Sequence, residues 1–255
     1  MEANGREPFF QVCQEGEYDP AVFVPGISGP HLEKLWAVVD ETRNGLRQNA
    51  YRLLLDHLFG AAEFRQRFSS APGAIRIHHA YRGGLLEHTV GVVTLCQAAA
   101  DLYPEANRDL LLTGALLHDI GKLESYTGAL TIEGTDEGKL IGHLVLGVQM
   151  VETAIATIQA EKGEAAFPPA LQMPLIHLIL SHHGELEWGS PVQPVLLEAC
   201  LLHHADHMDA EAAKFREALR QHSGKGGNWT AYNPVLKRSV YLMDLEAEES
   251  AEQTS

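Results

Sequence analysis

The chain has 255 residues with 34 acids against 19 bases, a net charge of −15 with histidines neutral, and it is 45% hydrophobic and 21% charged. A chain this long buries roughly three quarters of the surface its unfolded form exposes, so it folds as one domain with extensions and needs no disulfide scaffold. The charge argues against holding nucleic acid through a broad basic surface, a mode that depends on many Lys and Arg displacing counterions, but it leaves room for a locally basic cleft.

The N-terminal residues 1–30 are rich in Gly, Pro and acids (GREP, GEYDP, VPGISGP) and read as an extended arm. From His31 the apolar spacing turns helical, with Leu32, Leu35, Trp36 and Val39 on one stripe and Tyr51, Leu54, Leu55 and Leu58 on another. Further helices are expected near 85–101, 107–120, 141–161, 170–183 and 193–221. Strand signals are weak; the stretch 124–138 holds a short alternating run, Ala129 to Glu133, which reads as a small hairpin or ordered loop. HSGKGGNWTAYNP is a loop followed by a short apolar piece, Val235 to Leu245, and residues 246–255 read as an acidic, disordered tail. The expected fold is all-α, one helical domain over 31–245.

Cys13, Cys96 and Cys200 are odd in number, widely spaced and without a CxxC pair, which reads as reduced thiols in a cytoplasm. No signal peptide is visible at the start, and the apolar run LLLTGALL ends at His118, far below the roughly eighteen residues of a membrane span. A cytoplasmic protein with no membrane partner is expected. Whether it forms a homo-oligomer stays open.

The composition has one oddity, its 14 histidines. His118 and Asp119 end a strongly apolar predicted helix, with Gly121 in the place of a C-cap. Burying a carboxylate costs several kcal/mol unless a cation or donors offset it. Other helices aim similar groups inward: His88 continues the stripe of Leu85, Val92 and Leu95; His143 shares a face with Leu146, Gly147 and Met150. His182 follows Leu175, Leu178 and Ile179; His183 follows Ile176, Ile179 and Leu180; and Asp206 extends Val195, Ala199 and Leu202. One histidine on an apolar face is more often a hydrogen-bonded core residue than a ligand. Five predicted helices doing the same is a coincidence that a cation resolves, because imidazole and carboxylate together are the ligand set of Zn, Mn or Fe, with enough groups for two ions.

The order His88, His118-Asp119, His143, His182-His183, Asp206 resembles the HD superfamily of metal-dependent phosphohydrolases. The words HHAYRGGLLEHT, LLTGALLHDIGK, TDEGKLIGHLVLG, LILSHHGELEWGSP and HHADHMDA resemble more specifically the HD domain of YhaM-type 3′-5′ exoribonucleases, over about residues 70 to 245. The front departs from that pattern: such proteins commonly carry an N-terminal OB-fold that grips single strands, and some thirty residues are too few to build one. The resemblance implies an HD helical bundle holding two divalent ions, Mn²⁺ or Fe²⁺ first, with Zn²⁺, Co²⁺, Mg²⁺ or Ni²⁺ as alternatives. It assigns His88, His118, Asp119 and Asp206 to one ion, with Asp119 bridging to a second that His143 and His182 or His183 complete. The reaction it implies is attack of a metal-bound hydroxide on a phosphodiester.

Lys122, three residues past Asp119, is a candidate to neutralise substrate phosphate, or else it complements a helix C-terminus. Arg82, in YRGG, is a second phosphate candidate, and His79 a lining residue of the cleft. Lys225, Trp229 and Tyr232 offer charge plus stacking surfaces, although an aromatic after a glycine loop more often plugs a core. His203, His204, His207 and Asp209 crowd around Asp206; most belong to the surface, with Asp209 placed to hydrogen-bond a ligand residue. The leading expectation is an exoribonuclease-like phosphohydrolase acting on RNA, DNA or a nucleotide. Its rivals are a small-nucleotide phosphatase or phosphodiesterase, a non-catalytic nucleic-acid-binding module with structural metals, and, ranked last, a di-iron oxygenase.

Overall fold

The computed structural model describes residues 26–75, 79–127, 131–222 and 226–243. Helix α1 (Gly29–Gly45) carries Pro30 in its first turn, where a missing N–H costs nothing. The helix therefore starts two residues inside the stretch expected to be an arm. The rest of that expected arm up to residue 25, and the expected tail 246–255, lie outside the described residues. Helices α2 (Asn49–Phe59) and α3 (Ala62–Ser70) follow, and Trp36, Phe59, Phe64 and Phe68 form an aromatic cluster between them and α1. The Arg65 guanidinium lies 4.0 Å above the Trp36 ring and closes the cluster toward solvent.

The centre is α4 (Gly84–Leu102), α5 (Arg108–Leu117), α8 (His143–Lys162), α9 (Pro169–Ser181) and α10 (Leu197–His222). Asn107 caps α5 by accepting from the Leu110 N–H at 3.1 Å. Leu85, Val92, Leu111, Leu116, Leu117, Leu178, Ile179, Ala199 and Leu202 are buried in one continuous core that also takes in α1 and α2. The five expected central helices are all present. Helix α10 begins at Leu197 rather than near residue 193, which leaves Val195 exposed and outside the inward stripe.

Between α5 and α8 lie two short helices, α6 (Lys122–Ser125) and α7 (Asp136–Leu140), and a minimal antiparallel pair, β1 (Tyr126–Thr127) with β2 (Glu133–Gly134). Tyr126 faces Gly134 and Thr127 faces Glu133. The expected hairpin is thus there, with residues 128–130 outside the described set. Residues 226–243 fold back on α10, pairing Trp229 with Tyr241 and Asn233 with Arg238. The small core there is aliphatic, Leu236 and Val240 against Ala218. Trp229 does not plug it, as the sequence suggested; it is exposed and meets Tyr241 edge-on, and Tyr232 is exposed as well. No helix among the described residues is long and apolar enough to cross a membrane.

Candidate metal centre

Five chain segments converge at the middle of the bundle. His88 sits in the second turn of α4, whose cap and first residue, Gly83 and Gly84, are glycines for a structural reason. Gly83 has φ +87°, and a Cβ on Gly84 would lie 2.0 Å from the His79 carbonyl oxygen. His118 and Asp119 follow α5 in a turn and are almost fully buried. Gly121 does not act as the left-handed cap expected of it, since its φ is −65°. A Cβ there would meet the His143 carbonyl oxygen at 2.0 Å and the Gly147 nitrogen at 2.5 Å, so glycine lets the turn press against the start of α8. That contact sets His143, the first residue of α8, opposite Asp119. His182 and His183 follow α9, and α10 brings Asp206.

The two carboxylate oxygens of Asp119 face two groups of histidines. Oδ2 lies 3.5 Å from His88 Nε2 and 3.4 Å from His118 Nε2, whereas Oδ1 lies 3.4 Å from His143 Nε2 and 3.7 Å from His182 Nε2. Asp206 Oδ1 joins the first group, 3.0 Å from His88 Nε2 and 3.9 Å from His118 Nε2. Nitrogens of His143, His182 and His183 lie close enough together to share one ion, as do ligand atoms of His88, His118 and Asp119.

The histidines are aimed from behind. Their Nδ1 atoms hydrogen-bond outward: His118 to the Ala115 carbonyl at 2.8 Å, His182 to Ile179 at 2.8 Å, His183 to Trp188 at 2.9 Å, and His88 to Asp209 Oδ2 at 2.7 Å. With Nδ1 donating outward, each ring turns Nε2 toward the centre, and the proton that the neighbouring carboxylates hold on His88 must leave before that nitrogen can serve as a ligand. Both His182 and His183 have this arrangement, so the pair supplies two candidate donors.

The groups present fit a divalent cation. Asp119 Oδ1 and His143 Nε2 are buried with no hydrogen-bond partner. Leaving such atoms unpaired costs about 1–3 kcal/mol each, unless something else binds them. Burial by itself would raise the pKa of Asp119, but the charge of Lys122, 2.6 Å from Oδ2, holds it well below the usual carboxylate range. Asp206 is likewise depressed, with burial outweighed by its bond to His88. Burial alone would lower His88, yet its bonds to Asp206 and Asp209 lift it to about 9. His143, which gains no such bond, is pushed down by burial to about 3 and stays neutral.

Lys122 belongs to the centre: its Nζ lies 2.6 Å from Asp119 Oδ2, a buried ion pair rather than a helix-end lysine. Arg82 is exposed, its backbone carbonyl accepting from the Ile27 N–H at 3.2 Å, and none of the centre's hydrogen bonds or ion pairs involves its side chain. His79, expected to line the cleft, is largely buried beside the ligand shell, with Nε2 3.1 Å from Asp209 Oδ2 and Nδ1 3.1 Å from the Tyr81 hydroxyl, and it forms part of the wall of the cleft next to it. Tyr81 in turn donates to Glu87. Asp209 therefore holds His88 and His79 together, and Gly91 makes room for it, since a Cβ there would sit 2.3 Å from Asp209 Oδ1. The sequence signal for Asp209 is its position one turn after Asp206 on the same helix. His203 hydrogen-bonds the His182 carbonyl at 2.8 Å, and His204 and His207 are exposed.

A cleft of about 880 Å³ borders this network on the His79 side, between Tyr81 and Glu87 and the second half of α10. Of its cations, Lys214 pairs with Glu211 and Arg220 with Glu217, which leaves Arg216 as the one among the described residues without an acidic partner.

Residues 85–211 match the family described as HD domain. The chain is similar to the 3′-5′ exoribonuclease YhaM of Bacillus subtilis, 40% identical over 175 residues that cover 68% of this chain and 53% of that protein. It is 38% identical over 180 residues to the protein of the same name from Bacillus velezensis, covering 70% of this chain and 54% of the relative. For that of a Geobacillus species it is 35% identical over 211 residues, covering 82% and 60%. The chain thus spans 53–60% of the length of these relatives. No solved structure matches it.

Proposed function

We propose that this chain, whose residues 85–211 match the HD domain and which is similar to the YhaM 3′-5′ exoribonucleases, is a divalent-metal-dependent phosphohydrolase that removes nucleoside 5′-monophosphates from the 3′ end of single-stranded RNA. The observation that carries the proposal is the carboxylate of Asp119, with one oxygen toward His88 and His118 and the other toward His143 and His182.

His88, His118, Asp119 and Asp206 would hold one cation, and Asp119, His143, His182 and His183 a second. An imidazole-rich shell with two carboxylates suits Mn²⁺ or Fe²⁺ ahead of Mg²⁺, which prefers oxygen donors. Bound divalent cations acidify a coordinated water and neutralise the non-bridging oxygens of a phosphodiester under in-line attack. The chain's own contribution is orientation and charge. The outward Nδ1 bonds hold the imidazoles in one tautomer, and Asp119 spans both groups. Lys122, already in the centre, is the ammonium placed to meet a phosphate oxygen. In the cleft beside His79, where Glu211 and Glu217 compensate Lys214 and Arg220, Arg216 is the cation left to meet a polyanion.

The test is Mn²⁺-loaded protein incubated with a 5′-labelled single-stranded RNA of about twenty nucleotides, the DNA of the same sequence, a dinucleotide and a cyclic nucleotide. A ladder shortening from the 3′ end with release of 5′-monophosphates is expected for RNA. Cleavage of the dinucleotide alone would assign a small-nucleotide substrate, and four intact substrates would overturn the enzymatic reading.

A further inference from the structure

The three-residue turn Leu186–Trp188 follows His183 closely. Its Trp188 is 52% exposed, an unusual place for so large an apolar ring. Two histidines of α10 pack against the ring. It lies nearly parallel to the imidazole of His207 on α10, 13° between planes and 5.4 Å between centroids, and His203 leans on it at 5.9 Å. Stacking on His207 covers one face of the indole and leaves much of the rest to solvent. The Trp188 carbonyl accepts from His183 Nδ1 at 2.9 Å, and the His183 ring lies 5.0 Å from that of His143. The plate thus stands at the edge of the metal centre. Glu185 and Glu187, both exposed, flank it. Their charge repels a phosphate but not an uncharged aromatic ring.

We propose that Trp188, backed by His207, is a stacking platform for a nucleobase of the nucleotide adjoining the phosphate that is cleaved. This inference rests on the reading of the centre as a nuclease site and adds the group that positions its substrate. Every base has a π-face, so the platform favours no sequence, as an enzyme that shortens arbitrary strands requires. The bond to His183 uses the backbone carbonyl, which any residue supplies. The indole's role is therefore separable from support of the ligand.

The experiment compares the wild type with Trp188→Ala and Trp188→Phe as metal-loaded 255-residue chains. Trp188→Ala should raise KM for single-stranded RNA roughly ten- to hundred-fold, with kcat, metal content and thermal midpoint near wild type, and Trp188→Phe should recover most of the affinity. RNA made abasic at its terminal or penultimate 3′ nucleotide should show the same KM penalty with the wild type and no additional penalty with Trp188→Ala. In a Trp229→Phe background, where Trp188 is the exposed indole among the described residues, adenosine monophosphate should quench tryptophan emission. An unchanged KM in Trp188→Ala, or additive penalties with the abasic strand, overturns the inference. A joint loss of metal and activity would also overturn it, making Trp188 a support for His183. A wild type inactive on every phosphodiester refutes the nuclease reading instead, and the quench then still reports whether a base binds.

Discussion

Replacing Asp209 by Asn tests whether the outward hydrogen bonds tune the centre. Asp209 Oδ2 accepts from His88 Nδ1 at 2.7 Å and from His79 Nε2 at 3.1 Å, while Nε2 of the same His88 faces Asp119 and Asp206. Asn keeps the shape and one acceptor oxygen but removes the negative charge that makes His88 Nε2 more basic and fixes its orientation. Loss of such a partner behind a ligating histidine typically weakens metal binding ten- to a hundred-fold, equivalent to about 1.4–2.7 kcal/mol. The fold should survive, because Asp209 lies beside the apolar core and Asn occupies the same space. Isothermal titration of chelator-stripped protein with Mn²⁺ measures the affinity, and circular dichroism checks the helices. Asp119→Asn serves as the comparison and should bind no ion tightly, since it removes the oxygen charge shared by both groups. An Asp209→Asn protein whose Kd stays within twofold of wild type would refute the view that this second carboxylate acts through His88.

Gly91→Ala should reproduce part of that loss with every ligand and its partner kept in the sequence, since the new methyl would lie 2.3 Å from Asp209 Oδ1 and push the carboxylate aside; the same titration checks it. Gly121→Ala meets backbone atoms that cannot swing away and should destabilise by about 1–3 kcal/mol or more, read as a lower urea midpoint. Saturating Mn²⁺ at about a hundred times its Kd should stabilise the protein by roughly 2.7 kcal/mol per site, which raises the melting midpoint by about 5–10 °C for a chain of this size. Chelation should reverse the shift, and a midpoint indifferent to both treatments would contradict metal binding at a folded site. Bonds from His79, offset in part by burial and then aided by Tyr81 and His31, lower Glu87 from 4.5 to about 2. Because the folded value lies below the unfolded one, the carboxylate contributes stability above pH 4.5 that fades as pH falls from 4.5 toward 2. Glu87→Gln should flatten the decline in urea midpoint over that window.

The helices and their inward faces were legible because apolar residues recur at the helical period. Leu54, Leu85, Val92, Leu117 and Leu178 are all completely or nearly completely buried, as the pattern required. The ligand order was legible for a related reason: His88, His118, Asp119 and His182 interrupt apolar stripes, so each carries a burial cost visible in one dimension. Where only local chemistry spoke, the reading failed. Gly121 resembles a cap because it follows a helix, yet its reason is the backbone of α8, His143 and Gly147, arriving from much further down the chain. Trp229 was read as a plug, but the pocket beside it is filled by Leu236 and Val240.

From the sequence alone come the all-α fold, the identity of the buried acids and imidazoles, and the argument that a cation holds them together, because burial and periodicity are properties of a residue and its near neighbours. Tertiary structure alone decides which oxygen of Asp119 faces which histidine and that Asp209 stands behind His88. These depend on distances of a few ångströms between segments far apart in the chain, set by how helices pack at glycines such as Gly91 and Gly121, and no local pattern encodes a packing distance.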